Sequence, residues 1–370
     1  MINQERLINQ FMELVKIDSE SGNEREIADF LKKKITELGL EITEDNSIKK
    51  TGHGAGNLIA SLKATENKGE TIYFTSHMDT VTPGNGIKPS IDGGYIVSDG
   101  TTILGSDDKA GIAAMLEAIT VIKEDGLSHG NIQFLITVGE ESGLKGSRHL
   151  QEGLLQADYG YALDSNGPVG HIIIAAPTQA KITVTVYGKS AHAGVNPENG
   201  ISAIQVASHA ISKMKLGRID HETTANIGKF QGGSATNIVS DRVDILAEAR
   251  SLVNEKLEKQ IQHMKEAFEQ TADQFSTKVD FTSEIMYPAF RFGEDHQVVK
   301  KAIEAIHEIG RTPKLLSSGG GSDANVINGL GIPTINLGIG YENIHTTSEK
   351  MPISELVKTT ELILALIKKN

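Results

Sequence analysis

The 370-residue sequence predicts an α/β protein: a mostly parallel sheet flanked by helices, with an α+β segment of ferredoxin-like order inserted into it. Three observations predict this. Strand and helix patterns alternate over residues 1–176, as they do where helices cover both faces of a parallel sheet. Residues 177–288 switch to strands of alternating polarity in the order β-α-β-β-α-β, the split ferredoxin-like motif. From residue 289 the first style returns. A chain of this length also exceeds a single hydrophobic core. The expected organisation is therefore one α/β domain built from 1–176 and 289–370, with a second domain, 177–288, inserted between its parts.

The elements follow in order. Residues 3–17 place Ile8, Phe11, Met12 and Val15 at helical spacing, and 24–38 do the same with Ile27, Phe30, Leu31 and Ile35 before Gly39 stops the helix. Short apolar runs at 57–62 and 71–76 read as strands. The run KAGIAAMLEAITVIK, 109–123, is a helix, NIQFLITV, 131–138, a buried strand, and 159–163 a shorter one. In the insertion, strands are expected at 179–188, 223–230, 238–250 and 277–286, with helices at 201–214 and 254–274. The second part of the main domain reads as a helix at 296–309, the Gly-rich turn SSGGGSDAN, a strand at 333–337 and a last helix at 353–368.

Composition removes several function classes. The net charge of −12 disfavours nonspecific binding to nucleic acid or an anionic membrane. With no cysteine there is no disulfide, no thiolate metal site and no cysteine nucleophile, so any metal must be held by histidine and carboxylates. The first 22 residues lack an apolar core of signal-peptide length, and no run of about 18 apolar residues occurs, so a cytoplasmic protein without a transmembrane helix is expected. No G-x-G-x-x-G follows the first strand, which disfavours a nicotinamide-binding domain.

Chemistry gathers at strand ends. TIYFTS leads into His77 and Asp79, ILGS into Asp107 and Asp108, NIQFLITVG into Glu140 and Glu141, and YGYAL into Asp164. In an open parallel sheet, ligands bind outside the carboxyl ends of the strands, so these groups are expected to converge. His77 and Asp79, two apart in extended chain, point the same way, and the Asp79 carboxylate can fix the tautomer of the imidazole. Each motif also has a plain reading: an HxD pair by coincidence at the surface, an acid pair on a solvated turn. The Glu140–Glu141 pair is harder to dismiss, because carboxylates beside a buried strand need a compensating positive charge. A divalent metal would supply it, with one glutamate as ligand and the other free as a base. His345 follows another apolar strand and falls at the same sheet edge. His192, in GKSAHAG, lies in the insertion among small residues. His209, His263 and His307 read as surface histidines within helices, and His53, His129, His149, His171, His221 and His296 have no motif around them.

Together these residues resemble the co-catalytic zinc metallopeptidases, a family that includes peptidase T, glutamate carboxypeptidase, acetylornithine deacetylase and succinyl-diaminopimelate desuccinylase. The resemblance runs through SHMDTV, GSDDKAG, GEESG, LDS, GKSAHAG, GGSATNIVSD, SGGGSDAN and His345, in order along nearly the whole chain. The wording SDDKAG and IHTTSE is closest to the peptidase T-like branch. The resemblance implies a zinc exopeptidase-like main domain with an inserted lid and dimerisation domain. It implies two divalent metals, zinc in the first place, with Mn²⁺ or Co²⁺ also suited to the donors. His77 and Asp164 would hold one metal, Glu141 and His345 the other, and Asp107 would bridge them through a residue joined to Asp108 by a cis peptide. Asp79 would orient His77, and Glu140 would be the general base. His192 would stabilise an oxyanion, often from the partner subunit of a homodimer, while Asn237, Arg250, Gly319 and Gly320 would meet the substrate.

The implied reaction is amide hydrolysis in short peptides without a covalent intermediate, with removal of the N-terminal residue of a tripeptide as the branch's activity. Ser317 and Ser318 stand where some relatives that bind a C-terminal carboxylate have arginine, which disfavours carboxypeptidase-like specificity. A deacylase of N-acyl amino acids on the same scaffold is the alternative, and a metal-binding protein without catalysis a third reading that leaves Glu140 without a purpose.

Overall fold

The computed structural model describes residues 1–65 and 69–370. Its chain forms two compact units, one of residues 1–175, 292–318 and 322–370, the other of 176–291 with 319–321.

In the first unit the strands run side by side in the order Glu41–Glu44, Leu58–Leu62, Ile132–Thr137, Ile72–His77, Tyr159–Ser165, Thr334–Gly338 and His171–Ala176, with Lys314–Ser317 also paired to His171–Ala176. The central pairs are parallel, and Glu41–Glu44 and Leu58–Leu62 add an antiparallel edge. Every residue of Ile72–His77 and Ile132–Thr137 is buried, so neither shows the regular polar–apolar alternation of a strand with one face in water. The helices of this unit carry apolar stripes at turn spacing. Gln4–Val15 buries Leu7, Ile8, Phe11, Leu14 and Val15 and is capped by the Asn3 side chain, which accepts the N–H of Arg6. Arg25–Glu37 buries Ile27, Ala28, Leu31 and Ile35, and Gly39 ends it with φ +73°. Ser106–Asp125 lies almost wholly inside, and Ile353–Lys368 packs in the same core.

Several expected bounds shift. The helix expected at 109–123 starts at Ser106, although Asp107 and Asp108 interrupt its geometry, so the regular turns do begin at Lys109. Eight described strands escaped the sequence reading: Glu41–Glu44, Ser90–Asp92, Tyr95–Val97, His171–Ala176, Gly217–Arg218, Phe290–Arg291, Lys314–Ser317 and Lys350–Pro352. Ser90–Asp92 and Tyr95–Val97 form a hairpin that pairs with Lys350–Pro352 in a separate small sheet.

The second unit is an antiparallel sheet in the order Gly217–Arg218, Thr223–Gly232, Arg242–Ser251, Thr178–Tyr187, Val279–Tyr287. Alternation sets its inner face: Ala180, Ile182, Val184 and Val186 alternate with more accessible neighbours and join Val243, Ile245, Ala247 and Ala249. Helices Ala203–Ser212 and Asn254–Gln274 cover that face with Val206, Ala207, Leu257, Met264 and Phe268. This second core shares no residue with the first. No described helix is long and apolar enough to cross a membrane.

Candidate metal centre and active site

Each strand of the parallel core delivers its chemistry at its carboxyl end. His77 is the last residue of Ile72–His77, Glu140 and Glu141 follow Ile132–Thr137 after Val138 and Gly139, and Asp164 is next to last in Tyr159–Ser165. Asp107 sits in the first turn of Ser106–Asp125, and its peptide bond to Asp108 is cis. His345 comes from the loop between Glu342 and Lys350, which two backbone hydrogen bonds close by pairing those residues with each other. At the tip both Asn343 and His345 adopt positive φ, 58° and 61°.

Asp107 is the centre of the arrangement. Its Oδ1 lies 3.2 Å from Nε2 of His77, and its Oδ2 lies 3.2 Å from Nε2 of His345. Beyond His77, Asp164 Oδ1 is 3.9 Å from Nε2, and beyond His345, Glu141 Oε1 is 2.8 Å from Nε2. Two clusters that can each hold a cation therefore share Asp107: His77, Asp107 and Asp164 on one side, and Asp107, Glu141 and His345 on the other. Glu140 completes a third grouping with His77 and Glu141.

The electrostatics show how much positive charge the site demands. Burial disfavours a charged His77 ring, but the Asp107 hydrogen bond and the Asp164, Glu140 and Asp79 carboxylates outweigh it and hold its pKa well above normal. His345, bonded to Asp107 and Glu141, is raised to about 10. Asp107 is itself lowered against burial by these two histidines. Asp164 and Glu140 go the other way: burial first, then repulsion from Asp107 and from Asp164 respectively, push both well above the carboxylate range. Two imidazoles do not balance this many buried carboxylates. Oxygen and imidazole donors gathered around unmet negative charge fit divalent cations.

The surrounding hydrogen bonds differ in part from those read in the sequence. Nδ1 of His77 lies 2.9 Å from the Asp79 backbone carbonyl and 3.6 Å from its carboxylate, so the carbonyl is the acceptor that fixes the ring. The Asp79 carboxylate is taken up by the glutamate turn. Its Oδ1 accepts the N–H of Glu140 at 3.0 Å, and its Oδ2 accepts that of Glu141 at 3.3 Å together with the hydroxyl of Ser21. Other supports had no sequence reading. Glu349 is buried and accepts from the N–H groups of Leu104, Gly105 and Asp107 and from the Ser106 hydroxyl, which anchors the Asp107 turn. Tyr341 donates its phenol to Asp164 Oδ1 at 3.2 Å, and Asn336 clasps the Asp164 backbone by donating to its carbonyl and accepting its N–H. Asp323 accepts the hydroxyls of Thr137 and Ser147. Glu349 lay within the quoted IHTTSE wording and Asp323 within SGGGSDAN, so their motifs were visible although their roles were not.

The remaining candidates lie in the second unit. His192 is exposed, its Nδ1 accepts the N–H of Gly194 at 3.1 Å, and its backbone bridges to Ile238. The carbonyl of Asn237 accepts the N–H of Ala193 at 2.9 Å, so these two candidates share one small turn. Arg250 holds Glu248 through both arms of its fork at 2.9 Å and turns Nη1 toward the Gly319 carbonyl at 3.5 Å. Gly320 belongs to the same three-residue segment as Gly319.

Residues 73–369 match the model of "Peptidase family M20/M25/M40". The chain is 62% identical to the crystal structure of aminopeptidase PepT from Bacillus cereus ATCC 10987, with a TM-score of 0.93 over 100% of this chain and 99% of that one. It is 51% identical to the crystal structure of a tripeptidase from Staphylococcus aureus subsp. aureus Mu50, with a TM-score of 0.96 and the same coverage. It is also 60% identical, over 99% of both chains, to the uncharacterized protein YqjE of Bacillus subtilis strain 168.

Proposed function

Because the chain belongs to peptidase family M20/M25/M40, we propose that it is a metal-dependent exopeptidase that removes the N-terminal residue of tripeptides. The similarity to an aminopeptidase and a tripeptidase at more than half identity supports this activity. The observation that carries the chemistry is the shared carboxylate of Asp107, which turns one oxygen to His77 and the other to His345.

In this reading His77, Asp164, Asp107, Glu141 and His345 hold two divalent ions, which when bound supply Lewis acidity and a water of lowered pKa. The protein's own part is positioning and proton handling. With Nδ1 of His77 donating to the Asp79 carbonyl, its Nε2 is free to act as a donor atom toward the site. Glu140 is fixed by Asp79 through its backbone N–H. Burial and the neighbouring acids raise its proton affinity, as a group that takes a proton from water and passes it to a leaving amine requires. Glu141, one residue on, faces His345, so the adjacent glutamates have different tasks.

Zinc as the metal, a cytoplasmic setting, pairing of two copies through the inserted unit and contact of His192, Asn237, Arg250, Gly319 and Gly320 with substrate complete the proposal. These rest on the sequence resemblance. The decisive assay compares an unblocked tripeptide with its N-acetylated form and with an N-acetyl amino acid. Release of the first residue from the unblocked peptide alone is expected. Hydrolysis of only the acylated compounds would assign a deacylase instead.

A further inference from the structure

One buried histidine outside the ligand set reaches the glutamate turn. The His53 side chain is 5% exposed and that of Glu24 is 0% exposed. Nδ1 of His53 lies 2.7 Å from Glu24 Oε1, and the same carboxylate accepts the N–H groups of Gly22 at 2.8 Å and Gly54 at 2.9 Å. Three N–H groups thus converge on Glu24, which fixes the ring. Its other nitrogen, Nε2, faces the Ser142 hydroxyl at 3.3 Å, and Ser142 directly follows Glu141. The ring also lies flat against Gly139, where an added Cβ would come within 2.4 Å of it. Gly139 has φ +59°, so a side chain there would be strained as well as crowded by the ring. From the far end of the same segment, Ser21 donates to Asp79, whose carboxylate holds the N–H groups of Glu140 and Glu141.

We propose that His53, held by Glu24 and working with Ser21, is a positioning residue that braces the Gly139–Ser142 turn and so sets Glu140 and Glu141. All three precede the part of the chain on which the family assignment rests. The turn is closed locally, the Glu140 carbonyl accepting the N–H groups of Gly143 and Leu144 and that of Gly139 the N–H of Lys145, and its contacts with distant segments fix where it sits. Here it is gripped on its N-terminal glycine by the ring face, on its two glutamate N–H groups by Asp79, and on its last side chain by the ring edge. The inference rests on the reading of Glu140 and Glu141 given above.

The test compares wild type with His53→Ala, Ser142→Ala and Ser142→Thr by two readouts: Co²⁺ titration followed by visible absorption, and kcat and KM on a tripeptide. His53→Ala is expected to lower kcat about 10–100-fold with KM changed less than about twofold, and to weaken Co²⁺ binding by a similar factor, the usual cost of losing a group that orients a ligand. Ser142→Ala should show the same signature more weakly, Ser142→Thr should restore it, and the His53→Ala, Ser142→Ala double variant should lose no more than His53→Ala alone. Ser142 is exposed, so its pair of variants carries the test if His53→Ala does not fold. A folded His53→Ala protein with wild-type kcat and Co²⁺ affinity, or one altered only in melting temperature, overturns the proposal. A wild type that binds Co²⁺ but leaves tripeptides intact refutes the proposed activity instead, and the titration still decides the brace. A wild type that binds no Co²⁺ overturns both.

Discussion

Asp79 accepts the backbone N–H of Glu140 at 3.0 Å, although 61 residues separate them. Asp79, two residues past His77, is therefore tied to the glutamate proposed as the base, and the two ends of neighbouring parallel strands are linked at the site.

Replacing Glu140 by Gln keeps the shape and the N–H held by Asp79 but removes the base. Metal analysis should find the wild-type content, while hydrolysis falls by about 10²–10⁴-fold, the range for loss of a general base. An active variant, or one stripped of metal, would show that Glu140 is not that base.

His345 serves one cluster only. His345→Ala should lose one ion of the pair on dialysis, measured by elemental analysis, with a loss of activity beyond the roughly 10–100-fold of an outer partner. Retention of both ions would contradict the ligand assignment.

Tyr341 is buried and its phenol donates to Asp164. Tyr341→Phe should weaken metal binding about 10-fold by calorimetric titration, without loss of the fold, because the ring and its packing are kept. Equal affinity would mean that Asp164 needs no orienting donor.

Away from the site, Glu44 accepts from Arg25, Lys32 and the Gly56 N–H. Burial opposes these partners, but together they lower its pKa to about 2. Since the folded value lies below the ordinary one of 4.5, the stabilisation is present above pH 4.5 and is lost as pH falls toward 2. Arg25 is 43% exposed, so solvent screening limits the effect to on the order of 1 kcal/mol. Urea unfolding of Glu44→Gln against wild type should show a gap at pH 6 that closes by pH 2. A gap independent of pH would assign the effect to packing.

The parts of the site legible in the sequence were those at the ends of long buried strands. The apolar runs before His77 and Glu140 left few alternatives, and parallel topology then places their ends together. What escaped were groups joined by contacts that no local pattern marks. His53 meets Ser142 across 89 residues, and its neighbours TGHGAG show neither helical nor strand periodicity. The Asp79 carboxylate was assigned to His77 because they are two apart in extended chain. In the structure the nearer carbonyl takes that bond, which releases the carboxylate for the glutamate turn. Strand Glu41–Glu44 was missed because it lies at the sheet edge with two exposed positions, and Ser90–Asp92 because it is exposed throughout.

The lateness of His345 bears on how the protein is made. During synthesis every other residue of the two clusters leaves the ribosome before His345, and the loop that carries His345 is closed by Lys350 and followed by the helix Ile353–Lys368, which packs in the first core. A nascent chain from which His345 has not yet emerged therefore has the His77, Asp107 and Asp164 cluster but not the Asp107, Glu141 and His345 one, so the pair is completed one side at a time.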